Sequence, residues 1–294
     1  MPIYYRTYRS FEGDVRKRLR WWEVLKQEFR ILIKNRTFLV LMILGSLHVL
    51  ARVLQVVLMS MVASNPNNQV GQMLKSMASL EVFSVNPTMF FNFLRIQSPV
   101  MFLTLLMAGS GMICDDFRNN LMEVFFSKPL NWLDYVLGKL VTLIIVGLGL
   151  TAVPAIFLLV LHNILTPSLE TLGNTYWLPW PIVLFSLALV IPAALCVLAS
   201  SSILGSQRYA SIGLFMVLLG DLMLGRILPD LLHEPNYSVV AFPLAINRIG
   251  EVLFDQRRPM FELSWQWSAL FLAVVCALAA WLVCTKIQQA EVAD

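Results

Sequence analysis

Charged residues are scarce in this chain: Asp, Glu, Lys and Arg make up 14% of its 294 residues, whereas 58% are hydrophobic. Soluble domains have about 25% charged and about 45–50% apolar residues. A water-soluble fold of this composition would expose more apolar surface than it could bury, so we predict that the bilayer is its solvent. The net charge of +4 is concentrated before residue 37. Because this basic segment precedes a long apolar run, it predicts a cytoplasmic N-terminal segment that contacts anionic lipid. We do not expect it to bind nucleic acid.

The sequence also lacks the motifs of common catalytic and metal sites. The phosphate-binding pattern Gly-x4-Gly-Lys-Ser/Thr is approached only at Gly138-Lys139, where Leu133 and Leu140 replace the first glycine and the hydroxyl residue. The three histidines and four cysteines are scattered, without the spacing of a zinc site or a disulfide framework. We therefore predict that the chain is not an enzyme, binds no metal or cofactor, and does not hydrolyse ATP itself.

Long apolar runs dominate what remains. Six of them reach the roughly 20 residues that a helix needs to cross a bilayer: 38–63, 89–113, 136–161, 181–204, 209–228 and 264–285. Backbone groups in lipid must be hydrogen-bonded within the segment, so these runs predict helices. The expected fold class is an all-α integral membrane protein with six transmembrane helices. The first run is too long, and the segment before it too polar, for a cleavable signal peptide.

The distribution of Lys and Arg predicts the orientation of these spans. With both termini in the cytoplasm, the inside segments hold 15 of these residues and the outside segments hold 6. This divides the chain into a cytoplasmic tail (1–37), a membrane domain (38–285) with a cytoplasmic loop at 114–139, and a second cytoplasmic tail (286–294).

Two shorter helical patterns flank the spans. Between residues 21 and 36, apolar side chains share one helical face and charges the other, which is typical of an amphipathic helix at the membrane interface: Trp22, Leu25, Phe29, Leu32 and Ile33. The alternative is the cytoplasmic start of one long first helix. A weaker pattern follows Pro243 (Phe242, Ile246, Ile249, Leu253) and predicts a short helix lying on or dipping into the outer leaflet.

Arg52 and Asp221 are the notable charges inside the predicted spans. Arg52 lies in span one, either near enough to its end for the side chain to reach the interface or facing a cavity. Asp221 lies in span five, and it either pairs with Arg52 or Arg226 as a structural bridge or lines a translocation path. The sequence leaves both pairs of alternatives open.

The segment 114–139 contains four acidic and three basic residues between two apolar spans, more than a plain connector needs. Its spacing resembles the cytoplasmic loop of type-2 ABC-transporter permeases, in which an acid, Gly-Thr-Leu-Glu, an apolar pair, a proline and Leu-Gly-Lys follow in order. The matching residues here are Asp116, Glu123, Phe125-Phe126, Ser127-Lys128-Pro129 and Leu137-Gly138-Lys139. Asn120-Leu121 stands where the family has Gly-Thr.

The resemblance, which covers essentially the whole chain, implies a bacterial inner-membrane permease that assembles as a homodimer with two cytoplasmic ATPase subunits carrying ATP and Mg²⁺. It also implies that the loop forms a coupling helix seated in a groove of the ATPase. The expected contacts are Asp116, Arg118, Leu121, Glu123, Phe125, Phe126, Lys128 and Pro129. Central aromatic residues with charges at the rim are typical of protein–protein contacts. The alternative for this segment is a solvated surface helix.

The cargo cannot be read from the sequence, and lipids, hydrophobic drugs and polysaccharide all fit an apolar path. An alternative function is a mechanotransmitting subunit, which passes ATP-driven motion to extracytoplasmic partner proteins without moving a solute. A third is an ATP-independent channel or carrier with no ATPase partner.

Overall fold

The computed structural model describes residues 20–64, 86–126, 131–166, 173, 175–233, 235–256 and 264–293, and across these residues the regular structure is helical. Six segments are long and apolar enough to cross a membrane, which confirms the six predicted spans. Spans one to six are α2 (Arg36–Ser64), α3 (Pro87–Gly109), α6 with α7 (Trp132–Leu150 and Ala152–Leu165), α8 (Pro179–Ile203), α9 (Gln207–Leu232) and α11 (Trp265–Ala293). The short helices are α1 (Arg20–Lys34), α4 (Cys114–Arg118), α5 (Leu121–Phe126) and α10 (Phe242–Leu253).

Span four is the centre of the bundle. It packs against spans two, three, five and six, and its side chains Phe185, Val190 and Val197 are fully buried. Spans one and five lie at the periphery, where only a few of their side chains are buried against the rest of the chain. Both therefore present apolar faces to whatever surrounds a single chain.

Helix α1 is separate from span one. The two helices are divided at Asn35, whose side-chain oxygen accepts a hydrogen bond from the Thr37 amide at 3.0 Å and so caps the start of span one. The face of α1 that packs on span three carries Val24, Leu25, Glu28 and Leu32, whereas Trp22 and Ile33 of the expected apolar face are exposed. Its location at a membrane interface stays a prediction.

The segment after span five folds back into the bundle. Span five ends at His233, a left-handed residue (φ 54°), and the 3₁₀ turn Pro235–Val240 then packs along span five. Helix α10 begins beside Asp221, about 21 Å along span five from Gln207 and about 17 Å from Leu232 at 1.5 Å per residue. After α10, the side chain of Gln256 meets Thr88 at the start of span two. The predicted short helix therefore starts near the middle of the bundle and climbs to one end.

Asp221 stabilises this re-entrant start. Its carboxylate accepts a hydrogen bond from the backbone N–H of Phe242, the first residue of α10, at 2.6 Å. The first amides of a helix have no partner within the helix, and in apolar surroundings an unbonded amide is costly. A carboxylate there also matches the partial positive charge of the helix N-terminus. Pro243 follows and has no amide hydrogen that would need a partner.

Gly225 lies one turn beyond Asp221 and lets span five approach the same turn. A Cβ atom added there would collide with the Cβ of Ala241 and lie 3.1 Å from its backbone nitrogen. We expect Gly225→Ala to lower the thermal unfolding temperature of the detergent-solubilised chain, because overpacking of this kind costs about 1–3 kcal/mol.

Gly220→Ala is the matched control on the same helix, since nothing lies within 4 Å of its added Cβ. Replacing an exposed helical glycine by alanine stabilises by up to about 1 kcal/mol, so this variant should melt at the same or a higher temperature. Equal unfolding temperatures for the two variants would contradict the close contact.

Candidate functional site

The helix of span two breaks at residues 110–113, just before the loop that the sequence singles out. A broken helix leaves backbone groups without partners, and here neighbouring helices supply them. The hydroxyl oxygen of Ser201, on span four, accepts hydrogen bonds from the backbone N–H groups of Ile113 at 3.0 Å and Cys114 at 3.2 Å. The carbonyl oxygen of Met112 accepts a hydrogen bond from Lys139, on span three, at 2.6 Å. The break is thus fixed from two sides.

Lys139 is the centre of a buried charged cluster. Its side chain is fully buried, and its ammonium group contacts Glu28 Oε1 at 2.6 Å and Asp116 Oδ2 at 2.7 Å, besides the Met112 carbonyl. An ammonium group has three donors, so each of the three oxygens can take one. A charge in the apolar interior is tolerated only when it is paired in this way.

Tyr135 lies one turn before Lys139 on span three and completes the cluster. Its hydroxyl group donates a hydrogen bond to Asp116 Oδ2 at 2.6 Å, and its ring centroid lies 4.8 Å from the Lys139 ammonium. The second contact has the geometry of a cation–π interaction. Asp116 is therefore held by two side chains of the same helix.

Helix α1 joins the cluster through Glu28 and through a close backbone approach. A Cβ at Gly138 would lie 2.7 Å from Val24 Cβ and 2.9 Å from the carbonyl oxygen of Trp21, so only glycine fits here without displacement. This gives a physical reason for two members of the Leu137-Gly138-Lys139 triplet. Gly138 lets α1 lie against span three, and Lys139 pairs with the carboxylate that α1 brings.

Helix α5 follows the cluster and has both packed and exposed side chains. Asn120, before it, is left-handed (φ 53°), a conformation that glycine adopts freely and asparagine tolerates better than most residues. Met122 is buried, and the Phe125 ring packs edge-on against Tyr135 at 5.4 Å between centroids. Leu121 and Glu123 are exposed. Met122 and Phe125 thus anchor α5 to the bundle, while Leu121 and Glu123 stay exposed on either side of them.

The predicted site residues fall into three groups. Asp116 points into the buried cluster, and Phe125 packs inward on Tyr135. Arg118 is exposed, as are Leu121 and Glu123. Phe126 is the last residue of α5, and Lys128 and Pro129 lie outside the described residues. The contacts of these residues with an ATPase stay a prediction.

Arg52 and Asp221, the two charges for which the sequence left a mutual ion pair open, do not contact each other. Arg52 donates a hydrogen bond to Gln55 on its own helix at 2.7 Å, while Asp221 bonds the start of α10. Within the described part of the chain, no ion pair joins Asp221 to Arg52 or Arg226. In this chain Asp221 thus has a structural partner, but the partner is a backbone amide.

Sequence reasoning missed Glu28, Tyr135 and Ser201 as members of this site. Glu28 carried a usable signal, because it lies four residues after Val24 and four before Leu32 and hence on the buried face of α1. Lys139 lies within an otherwise apolar helix, which is a second signal that a carboxylate should face it. No local pattern marks Ser201.

Within the described ranges, no group of three or more His, Cys, Asp or Glu side chains is arranged to hold an ion. The cluster around Lys139 connects helix α1, helix α4 and spans two and three by charge.

Residues 22–284 match the sequence model of a family described as "ABC-2 family transporter protein", a range that takes in the charged cluster, the first five spans, α10 and most of span six. No curated protein sequence matches the chain.

We expect Lys139→Met to destabilise the chain strongly, because it leaves the carboxylates of Glu28 and Asp116 buried without their cation. Breaking a buried ion pair from one side costs about 3–5 kcal/mol. The measurement is thermal unfolding in detergent. Lys26→Met is the control, because the Lys26–Glu23 pair is 3.5 Å apart with both side chains about half exposed, and such pairs contribute about 1 kcal/mol or less. Similar shifts for the two variants would rule out a structural role for the cluster.

Proposed function

The chain belongs to the ABC-2 family of transporter proteins and is thus a multi-pass membrane component of an ABC transporter; on that premise we propose that it is the permease subunit that receives ATP-driven motion from a separate ATPase. Both termini and the loop at 114–139 face the cytoplasm in this proposal, and the membrane is the bacterial inner membrane. ATP and Mg²⁺ are bound by the ATPase partner. This chain takes part in no chemical step and supplies the docking surface and the moving helices.

The observation that carries the proposal is that helix α5 packs on the bundle through Met122 and Phe125 while Leu121 and Glu123 stay exposed. Its exposed side chains include Leu121 and Glu123, an apolar and a charged group on either side of the helix that are suited to the walls of a groove on a protein partner. Its inner face is held by Met122 and by the Phe125 ring on Tyr135. A solvated surface helix would account for the exposed Leu121 and Glu123, but not for the packing of Met122 and Phe125 against the bundle.

Motion applied to α5 has a defined route into the membrane. Tyr135 contacts both Phe125 of α5 and Asp116 of α4, and Asp116 and Glu28 share the ammonium group of Lys139. A push on α5 therefore acts on the end of span two, on span three and on α1 together. Because packed interfaces shift between discrete arrangements and do not deform continuously, the three move as one body.

The functional unit is two copies of this chain with two ATPase subunits. The peripheral position of span one supports this, because it presents exposed leucine and isoleucine side chains over most of its length. In a symmetric pair, the same patch on each copy would meet across the two-fold axis.

Charge reversal at the exposed side chains of α5 tests the docking surface. The full-length tagged chain is purified from its native host in mild detergent, and captured proteins are quantified by mass spectrometry. The ATPase is recognised by a Gly-x4-Gly-Lys-Ser/Thr peptide. We expect Glu123→Arg combined with Leu121→Arg to lower ATPase capture by at least about a hundredfold, because a misplaced charge at an interface costs several kcal/mol and each 1.4 kcal/mol is tenfold.

Asp230→Arg is the control, since Asp230 is an exposed acid near the end of span five, whereas the start of that span is the end near the loop. It should leave capture unchanged, and thermal unfolding of all variants checks that they are folded. Undiminished capture by the α5 variant would overturn the docking role of this helix. If wild-type chain captures no ATPase at all, the coupled-permease proposal fails.

A further inference from the structure

A cavity of about 300 Å³ lies between spans two, four and five and the re-entrant helix α10. This volume is at the lower end of the range for small-molecule sites. Its walls are almost entirely apolar, and each of the four helices contributes to them; they include Met101, Phe102, Leu189, Leu218, Phe242 and Ile246. A single chain therefore forms the whole site.

The cavity lies at mid-membrane depth. Leu189 is ten residues after the first residue of span four, and Leu218 is eleven residues after the first residue of span five, which places each about 15–17 Å along its helix. The hydrocarbon core of a bilayer is about 30 Å thick, so both positions are near its centre. Helix α10 starts at this depth because Asp221 holds Phe242 there.

The mouth of the cavity opens on the side of span five. Phe215 and Leu219 both line the cavity and are 43% and 44% exposed, whereas Phe242 and Ile246 on the inner wall are 9% and 3% exposed. At this depth the medium outside the mouth is lipid acyl chain and not water. The cavity is therefore a side pocket of the hydrocarbon layer.

Ser98 and Asn247 are the polar residues that line the cavity, and Asp221 lies close by. The Ser98 hydroxyl donates to the Arg95 carbonyl at 2.8 Å, and the Asp221 carboxylate is bonded to the Phe242 amide. Water needs two to four polar partners to occupy a cavity, so it gains little here. An empty cavity would leave its lining atoms without dispersion contacts. A flexible apolar chain restores those contacts.

We propose that this cavity is a binding site for one hydrocarbon chain of a membrane phospholipid, which enters between spans two and five and lies against α10. The headgroup stays at the membrane surface, so recognition rests on the chain alone. The site is formed without an ATPase or ATP, so it can be tested separately from the docking role of α5.

Photolabelling from within the bilayer tests the site. The full-length chain is reconstituted in phosphatidylcholine nanodiscs containing a small fraction of phosphatidylcholine with a diazirine midway along one acyl chain. After irradiation, adducts are mapped by peptide mass spectrometry. We expect adducts on α10 at Phe242 and Ile246, which are buried and can be reached only by a chain inside the cavity.

Leu219→Trp narrows the mouth, and we expect it to reduce α10 labelling about tenfold, the change that corresponds to about 1.4 kcal/mol. Leu224→Trp is its control, because Leu224 lies on the same helix, is 49% exposed and does not line the cavity. Ala193→Leu fills the cavity from the opposite wall and should have the same effect as Leu219→Trp. Thermal unfolding identifies any variant that does not fold, and the other cavity variant then decides.

Three outcomes would overturn the proposal. Adducts confined to lipid-facing side chains, with α10 unlabelled, would mean that only annular lipid contacts the chain. Equal α10 labelling in the Leu219→Trp and Leu224→Trp variants would mean that the chain does not enter by this mouth. Labelling of α10 in the isolated monomer but not in the dimer, sized by native mass spectrometry, would assign the mouth to the second copy.

Discussion

The ammonium group of Lys139 holds together the end of the bundle that carries the loop. Its three oxygen partners come from helix α1, from helix α4 and from the break in span two. Without it, two carboxylates and a carbonyl would be buried with no cation. A buried ion pair adds little net stability over a well-packed apolar group, but losing one partner is costly. We interpret the cluster as a device that fixes geometry, since it joins three elements that apolar contacts alone would let slide.

A related constraint shapes the re-entrant segment. Backbone amides and carbonyls released by a helix break or start need partners wherever water is absent. Lys139 and Ser201 supply them at the break in span two, and Asp221 supplies one where α10 begins. Span two connects the two regions, because its end is held by the cluster and its middle lines the cavity through Met101 and Phe102. Movement of span two would therefore reach the cavity wall.

The candidate site was predictable in outline but not in detail. Spacing around Glu123 and Phe125 located the loop, and Asn120 at the family's glycine position proves to be a left-handed residue, which explains the exchange. The inward role of Asp116 was not predictable, because its partner Lys139 is 23 residues away and Glu28 lies 111 residues from Lys139. Patterns within one helix report which face is apolar, and they do not report which helix will cover it.

The sequence by itself determined the number of spans and the short helix after span five, whereas the separation of α1 from span one was one of two alternatives that the sequence left open. The number of spans and the short helix follow from local properties: hydrophobic length, helical periodicity, and the cost of leaving backbone groups unbonded in lipid. Only the tertiary structure decided which charges pair. Opposite charges in one membrane domain suggested an ion pair between Asp221 and Arg52. In the structure, Asp221 instead accepts a hydrogen bond from the Phe242 amide, and Arg52 donates one to Gln55. Pairing depends on distance in the folded chain, and that distance is fixed by helix packing, which no local pattern encodes.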